Sequence, residues 1–104
     1  MAKTFNGTFV TLGTSEGDIY TAPSKAMSLL IQVVNTTSSA VTCELWMTDG
    51  SNNHVACLFP SQSVAAYNGV SDTAKHVILN GYKIRGLASA GSAAYVEIST
   101  IEGM

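Results

Sequence analysis

Two histidines, His54 and His76, are the side chains of this sequence that could serve as a general base. Hydrolysis by a serine, cysteine or threonine needs such a base beside the nucleophile, and a third group that orients the base. Neither histidine lies in a recognisable motif, and the sequence has no Gly-x-Ser-x-Gly elbow. We therefore predict that the chain has no catalytic residue and is not an enzyme.

Metal and phosphate chemistry have no better support. The sequence lacks the Cys-x-x-Cys and His-x-x-x-His spacings that are typical of zinc sites. The loop 49–53 is rich in Asp and Asn but lacks the alternating ligands and terminal glutamate of a calcium loop. The acidic residues form no distinctive pair for glycoside chemistry, and no phosphate-cradling motif occurs. We expect neither a metal nor a cofactor.

Length and charge narrow the classes of partner. A chain of 104 residues is the size of one domain, which we place at 1–104. Only 12% of the residues are charged, about half the usual share, which indicates either protein partners or a β domain with a surface rich in Ser, Thr and Asn. The basic residues are scattered and the net charge is −2, so we expect no nucleic-acid partner. The N-terminus lacks a long apolar segment, so we expect folding in a cytoplasm and no membrane partner.

Short β-rich runs with turn signals between them recur along the whole chain. This rhythm predicts an all-β fold, an antiparallel β-sandwich of about 8–9 strands of the jelly-roll or immunoglobulin-like type. Residues 1–8 would be an N-terminal arm or an edge strand, and the segment 2–10 could add a strand to a neighbouring chain. The predicted strands are Phe5–Leu12, Asp18–Ala22, Ser28–Thr36, Ala40–Thr48, His54–Phe59, Ser63–Tyr67, Lys75–Leu79, Tyr82–Ser89 and Ala93–Ile101.

Residues that are typical of turns lie between the predicted strands. Three Asn-Gly pairs, at 6–7, 68–69 and 80–81, supply residues that tolerate a positive φ. Pro23 and Pro60 follow predicted strands, where the missing amide donor does no harm. Cys43 and Cys57 fall at apolar strand positions, so we expect free, buried thiols, although a bridge would form if their strands were neighbours at the right separation.

Alternation along the strands predicts which side chains face the core. In Ala40–Thr48, the residues Val41, Cys43, Leu45 and Met47 share the inner face, and Trp46 projects from the outer face. Trp46 either anchors a contact with a partner, lies flat over its own sheet or points inward through a bulge. Ser28–Thr36 carries aliphatic side chains on both faces, so a loop, the N-terminal strand or a second subunit should cover each face. In Ala93–Ile101, Val96 and Ile98 should face inward, with Tyr95, Glu97 and Ser99 outward.

The order of the motifs along the chain carries a further signal. They are Leu12–Thr14, Asp18-Ile19-Tyr20-Thr21-Ala22-Pro23-Ser24, Val34-Asn35-Thr36, Leu58-Phe59-Pro60, Ser63–Ala66, Val77–Arg85 and Val96–Glu102. Over about residues 9–102 this succession resembles the small β-sandwich virion structural proteins of tailed bacteriophages. That family has a Tyr-Thr-Ala-Pro turn before a strand ending in Asn-Thr, and a late Leu-x-x-Gly-Asp-x-Ile strand. Tyr82 stands where the family pattern has Asp, so the turn there is built or used differently.

The resemblance implies a structural protein of the virion. It implies a capsid decoration (cement) protein on the capsid surface, assembled in the bacterial host cytoplasm, with the major capsid protein and itself, as a homotrimer, for partners. The alternative is a tail, neck or fibre-associated structural or receptor-binding module. The partner interface that we predict consists of Phe5, Phe9, Leu30, Val34 and Trp46.

Overall fold

The computed structural model describes residues 3–104, and β-strands account for more than half of them. Met1 and Ala2, which begin the predicted arm, lie outside the described residues. No helix occurs in the described chain, which confirms the all-β prediction. The strands are β1 (Thr4–Thr11), β2 (Gly17–Thr21), β3 (Ala26–Asn35), β4 (Val41–Thr48), β5 (His54–Val64), β6 (Gly69–Asp72), β7 (Val77–Ile78), β8 (Lys83–Ala88) and β9 (Ala94–Glu102).

The strands form two antiparallel sheets that pack face to face as a β-sandwich. Sheet A has the order β1-β9-β3-β6, with β7 also paired to β3, and sheet B has the order β2-β8-β4-β5. Because β6 and β7 pair with successive parts of β3, they act as one interrupted strand. The paired strands are nested along the chain: β1 pairs with β9, β2 with β8, β3 with β6 and β7, and β4 with β5. Successive pairs belong alternately to sheet A and to sheet B. This nesting is the strand order of a jelly roll, one of the two predicted sandwich types.

Side-chain alternation places the core between the sheets, largely as predicted. Val41, Cys43, Leu45 and Met47 of β4 are all buried, as are Val96 and Ile98 of β9. Each large aliphatic side chain removed from water in this way contributes about 1.5–3 kcal/mol. The same inner faces supply most of the other large buried apolar side chains, among them Ile19, Tyr20, Ile31, Val33, Phe59, Val64, Ile78 and Ile84.

A buried amide fastens the two sheets together at one end. Asn35, the last residue of β3, is fully buried. Its Nδ2 group donates to the carbonyl oxygens of Ser39, Val64 and Ala65 at 2.8, 3.2 and 3.3 Å. Its Oδ1 accepts from both the backbone amide and the hydroxyl of Thr37, at 2.9 and 2.7 Å. Since β3 belongs to sheet A and Val64 ends β5 of sheet B, Asn35 joins the sheets through its side chain.

The predicted strands around Pro60 were wrong. Pro60 lies inside β5, which continues to Val64, and the strand predicted at Ser63–Tyr67 is replaced by β6 at Gly69–Asp72. The register of β5 against β4 shifts near Pro60, and Ser61 has a φ of 41°. A bulge in an edge strand tolerates proline because no ladder bond needs its missing donor. The chain therefore passes through Pro60 without leaving sheet B.

Of the other local predictions, some were confirmed and some were wrong. Gly81 has a φ of 82°, as expected of an Asn-Gly turn, whereas Asn6-Gly7 lies within β1 and makes no turn. A register shift between Ser28 and Leu30 makes Leu29 the extra residue of a bulge, so Leu29 is only half-buried and not a core residue.

The two cysteines are free, as predicted, but only one is buried. Cys43 lies in the core, whereas Cys57 is exposed. The prediction for Cys57 was wrong because β5 is an edge strand, and its residues 54–57 are exposed whichever way they point. Burial raises the pKa of the Cys43 thiol to about 11.

Candidate docking surface

Apolar side chains line up across the outer face of sheet A. Direct pairing places Phe5 beside Ile101, Ile101 beside Met27, and Met27 beside Val77. Directly opposed residues of antiparallel strands project from the same face and lie within side-chain contact distance. These four residues therefore form one apolar row that crosses β1, β9, β3 and β7. We call the whole outward side of this sheet the sheet A outer face.

Three further rows continue across the sheet A outer face. In order from the first row they are Gly7–Ser99–Leu30, Phe9–Glu97–Gln32–Ser71 and Thr11–Tyr95–Val34–Gly69. Of the residues in the four rows, Glu97 alone carries a formal charge. The face therefore has apolar or aromatic groups in every row and one carboxylate near its centre.

The aromatic residues of β1 are the most exposed part of this surface. Phe5 is 75% exposed and Phe9 is 67% exposed. Leu30 and Val34, further into the sheet, are half-buried by their neighbours. The Phe9 ring lies close to Gly7, two residues earlier in β1, since a Cβ at Gly7 would be 3.9 Å from the ring. Two phenyl rings and a glycine thus form the border of the surface along β1.

The predicted interface residues divide between the two sheets. Phe5, Phe9, Leu30 and Val34 all lie on the sheet A outer face, whereas Trp46 lies on the outer face of sheet B. Sequence alternation had already placed Tyr95 outward, and Ile101 follows the same alternation in β9. It gave no sign of Met27 or Val77, because their place in the apolar row depends on pairing between distant strands.

The Trp46 ring packs against a side chain of its own sheet. Its ring stacks on that of His54, with centroids 4.2 Å apart and an interplanar angle of 10°. His54 Nε2 lies 2.7 Å from Glu16 Oε1, and the other oxygen of Glu16 accepts from Arg85 Nη1 at 2.7 Å. Arg85 Nε also donates to Asp18 Oδ1 at 2.7 Å, and this bond lowers the pKa of the Asp18 carboxyl. The outer face of sheet B therefore carries charged side chains, and those around Arg85 pair with one another.

Ser28, His76 and Asp72 come closest to a catalytic arrangement. His76 Nε2 lies 2.9 Å from Asp72 Oδ2, which lowers the pKa of the Asp72 carboxyl. The Ser28 hydroxyl, however, accepts from the backbone amide of His76 at 3.0 Å and donates to the carbonyl of Ala74 at 3.4 Å. These contacts fix the segment between β6 and β7 against β3.

Within residues 3–104 there is no enclosed pocket, and no group of three or more His, Cys, Asp or Glu side chains that could hold a metal ion. No helix in this part of the chain is long and apolar enough to span a membrane. Comparison with known proteins finds no protein-family model and no curated protein that matches the chain.

Proposed function

We propose that this protein is a structural component of a bacteriophage virion, and that it serves as a capsid decoration (cement) protein. It binds across subunits of the major capsid protein on the capsid surface, after synthesis in the bacterial host cytoplasm. The sequence resemblance supports this role, and so does the sandwich fold, since jelly rolls occur in viral capsid proteins. Because one fold hosts many functions, the surface carries more weight than the fold.

The observation that carries the proposal is the exposed apolar character of the sheet A outer face. Phe5 and Phe9 are largely exposed, and they continue into a row of apolar side chains that crosses the sheet. Contiguous apolar surface of this kind marks a site of protein contact more often than it marks ordinary surface. A broad sheet face with one charge suits another protein surface better than it suits a small ligand.

A cement protein stabilises a shell through many symmetric contacts, each of which is weak by itself. Its affinity for the shell rises when several copies act together, and the homotrimer that the resemblance implies would have this effect. The internally paired charges on sheet B would then face the solvent. The proposal therefore assigns different roles to the two outer faces.

Copy number tests the location in the virion. Quantitative mass spectrometry of purified virions should find this protein in numbers comparable with the binding sites on the shell. A handful of copies per particle would contradict shell-wide decoration and would favour the tail, neck or fibre role.

A pair of lysine substitutions tests the docking surface. Leu30→Lys puts a charge in the middle of the sheet A outer face, whereas Thr42→Lys puts the same charge on an exposed position of sheet B. Shells that lack the protein would be incubated with each variant and sedimented. Leu30→Lys should reduce bound protein at least about tenfold, because it replaces apolar contact area with an ammonium group that loses water when the contact forms. Equal binding by both variants would overturn the assignment of this face.

A further inference from the structure

Strand β1 forms an open edge of sheet A. Among residues 3–104, β9 is the only strand that pairs with it, and all eight residues of β1 stay in register. Leu12, two residues after Val10, continues the pairing of Val10 with Val96, and its amide donates to the Ala94 carbonyl at 2.9 Å. The even-numbered residues of β1 therefore direct their backbone groups toward β9. The odd-numbered ones direct theirs to the open edge.

The other edges of the sandwich carry features that hinder pairing with another chain. The outer edge of sheet B has Pro60 and several register shifts in β5, and its opposite edge has a shift next to the charged Asp18 in β2. In sheet A, β6 has only four residues and β7 only two. Proline, bulges, charge and short length are the usual means of protecting a sheet edge. Thr4–Thr11 has no charged residue and no proline, and its pairing with β9 has no bulge.

The side chains of β1 fit a second copy of the same strand. If a two-fold axis passes beside Gly7, that residue faces Gly7 of the second copy, and Phe5 faces Phe9. These odd-numbered residues direct their backbone groups to the edge and their side chains to the sheet A outer face. The three pairs would therefore form about six backbone hydrogen bonds and bring the phenyl rings side by side. The absence of a side chain on Gly7 leaves room for the Phe9 rings at the axis.

This pairing also enlarges the docking surface. Four strands about 4.8 Å apart and about eight residues long give one face roughly 500 Å². Two copies joined at β1 would present two outer faces on the same side, with a combined area of about 1,000 Å². Joining two copies therefore doubles the area that one partner can cover.

We propose that this protein forms a two-fold dimer in which two β1 strands pair antiparallel about Gly7, so that sheet A continues from one copy into the other. The dimer does not depend on the proposed function. A contact of this symmetry closes at two copies. A homotrimer would therefore need a different surface.

Sedimentation velocity over a concentration series tests the dimer with a matched pair of variants. Phe9→Lys places a charge at the edge, whereas Leu30→Lys places the same charge on the same face two strands away. The wild type should be a dimer. Phe9→Lys should weaken dimerisation at least about tenfold, because it removes the contact between the Phe9 ring and Phe5 of the other copy, and the symmetry makes this contact occur twice. Leu30→Lys should leave dimerisation unchanged. A monomeric wild type, or a trimer that Phe9→Lys does not alter, would overturn the proposal.

Cross-linking tests the register itself. In a Cys57→Ser background, Gly7→Cys should form a disulfide-linked dimer on mild oxidation, because directly opposed residues of a hydrogen-bonded pair lie about 5.5 Å apart at Cα. Thr11→Cys in the same background should stay monomeric in denaturing gels, since Thr11 would face Lys3 of the other copy. Equal cross-linking at both positions, or none at Gly7→Cys, would overturn the register. A third outcome would also overturn the proposal. If the wild-type chain is a monomer that binds a different virion protein, and Phe9→Lys abolishes this binding, then β1 pairs with that protein and not with a second copy.

Discussion

The Trp46 and His54 rings lie nearly parallel, with centroids 4.2 Å apart. His54 is itself held by Glu16, at 2.7 Å, so the stack is anchored to the charged network that extends to Arg85. Of the two roles that the sequence allowed for an outward tryptophan, packing over its own sheet is the one that these contacts support.

His54→Ala should expose the Trp46 indole to water. Trp46 is the only tryptophan, so the change is read directly from its fluorescence, as a red-shifted emission and stronger quenching by acrylamide. Loss of the stack should also lower the free energy of unfolding by about 0.5–1.5 kcal/mol. His76→Ala is the control, because His76 bonds to Asp72 and not to the tryptophan. Identical emission from wild type and His54→Ala would contradict the stacking.

Local alternation predicted most of the fold because inward and outward positions of a strand are fixed by its own sequence. It succeeded in β4 and β9, where the residues predicted to face inward are buried. It failed at Pro60, since the bulge there is a property of the pairing between β5 and β4. The same limit applies to the docking surface. Sequence reasoning placed Phe5 and Leu30 in an interface, but their common face follows from the register of β1, β9 and β3.

Asn35→Ala should destabilise the sandwich strongly. The substitution removes five side-chain hydrogen bonds and leaves the carbonyls of Val64 and Ala65 without this donor. Buried polar groups that lose a partner cost about 1–3 kcal/mol each, so we expect a loss of about 2–3 kcal/mol in urea unfolding. Asn68→Ala is the control, because Asn68 is exposed and its side chain accepts one bond, from the Gly69 amide. A loss no larger than that of the control would show that Asn35 does not fasten the sheets.

Gly86→Ala should be far more harmful than Gly13→Ala. A Cβ at Gly86 would lie 2.5 Å from the Glu44 carbonyl oxygen and 2.3 Å from the Leu45 side chain, and the backbone of β4 cannot move away. Overpacking of this kind costs about 1–3 kcal/mol or more. A Cβ at Gly13 would meet nothing within 4 Å, so Gly13→Ala should stay within about 0.5 kcal/mol of wild type. Equal melting temperatures for the two variants would contradict the close approach of β8 to β4.

Tyr20 should make the protein lose stability at alkaline pH. Its hydroxyl donates to Glu102 at 2.5 Å, and burial, with this bond, raises its pKa from 10.0 to about 12. Between these pH values the unfolded chain releases the proton and the folded chain keeps it, so rising pH favours unfolding. The stability that Tyr20 contributes is therefore complete below pH 10 and is lost as the pH rises toward 12. Cys43, with its pKa raised from 9.0 to about 11, acts in the same direction from a lower pH.

The comparison of Tyr20→Phe with its parent, both in a Cys43→Ala background, isolates the tyrosine. At pH 8 the phenylalanine variant should be less stable by about 1.5–3 kcal/mol, because it lacks a hydrogen bond to a charged group. The difference should shrink as the pH rises above 10, since the phenylalanine has no proton to lose in the unfolded chain. Urea unfolding at intervals from pH 8 to pH 11.5 measures the two curves. Parallel curves over this range would show that the Tyr20 hydroxyl has the same pKa in the folded and unfolded chains.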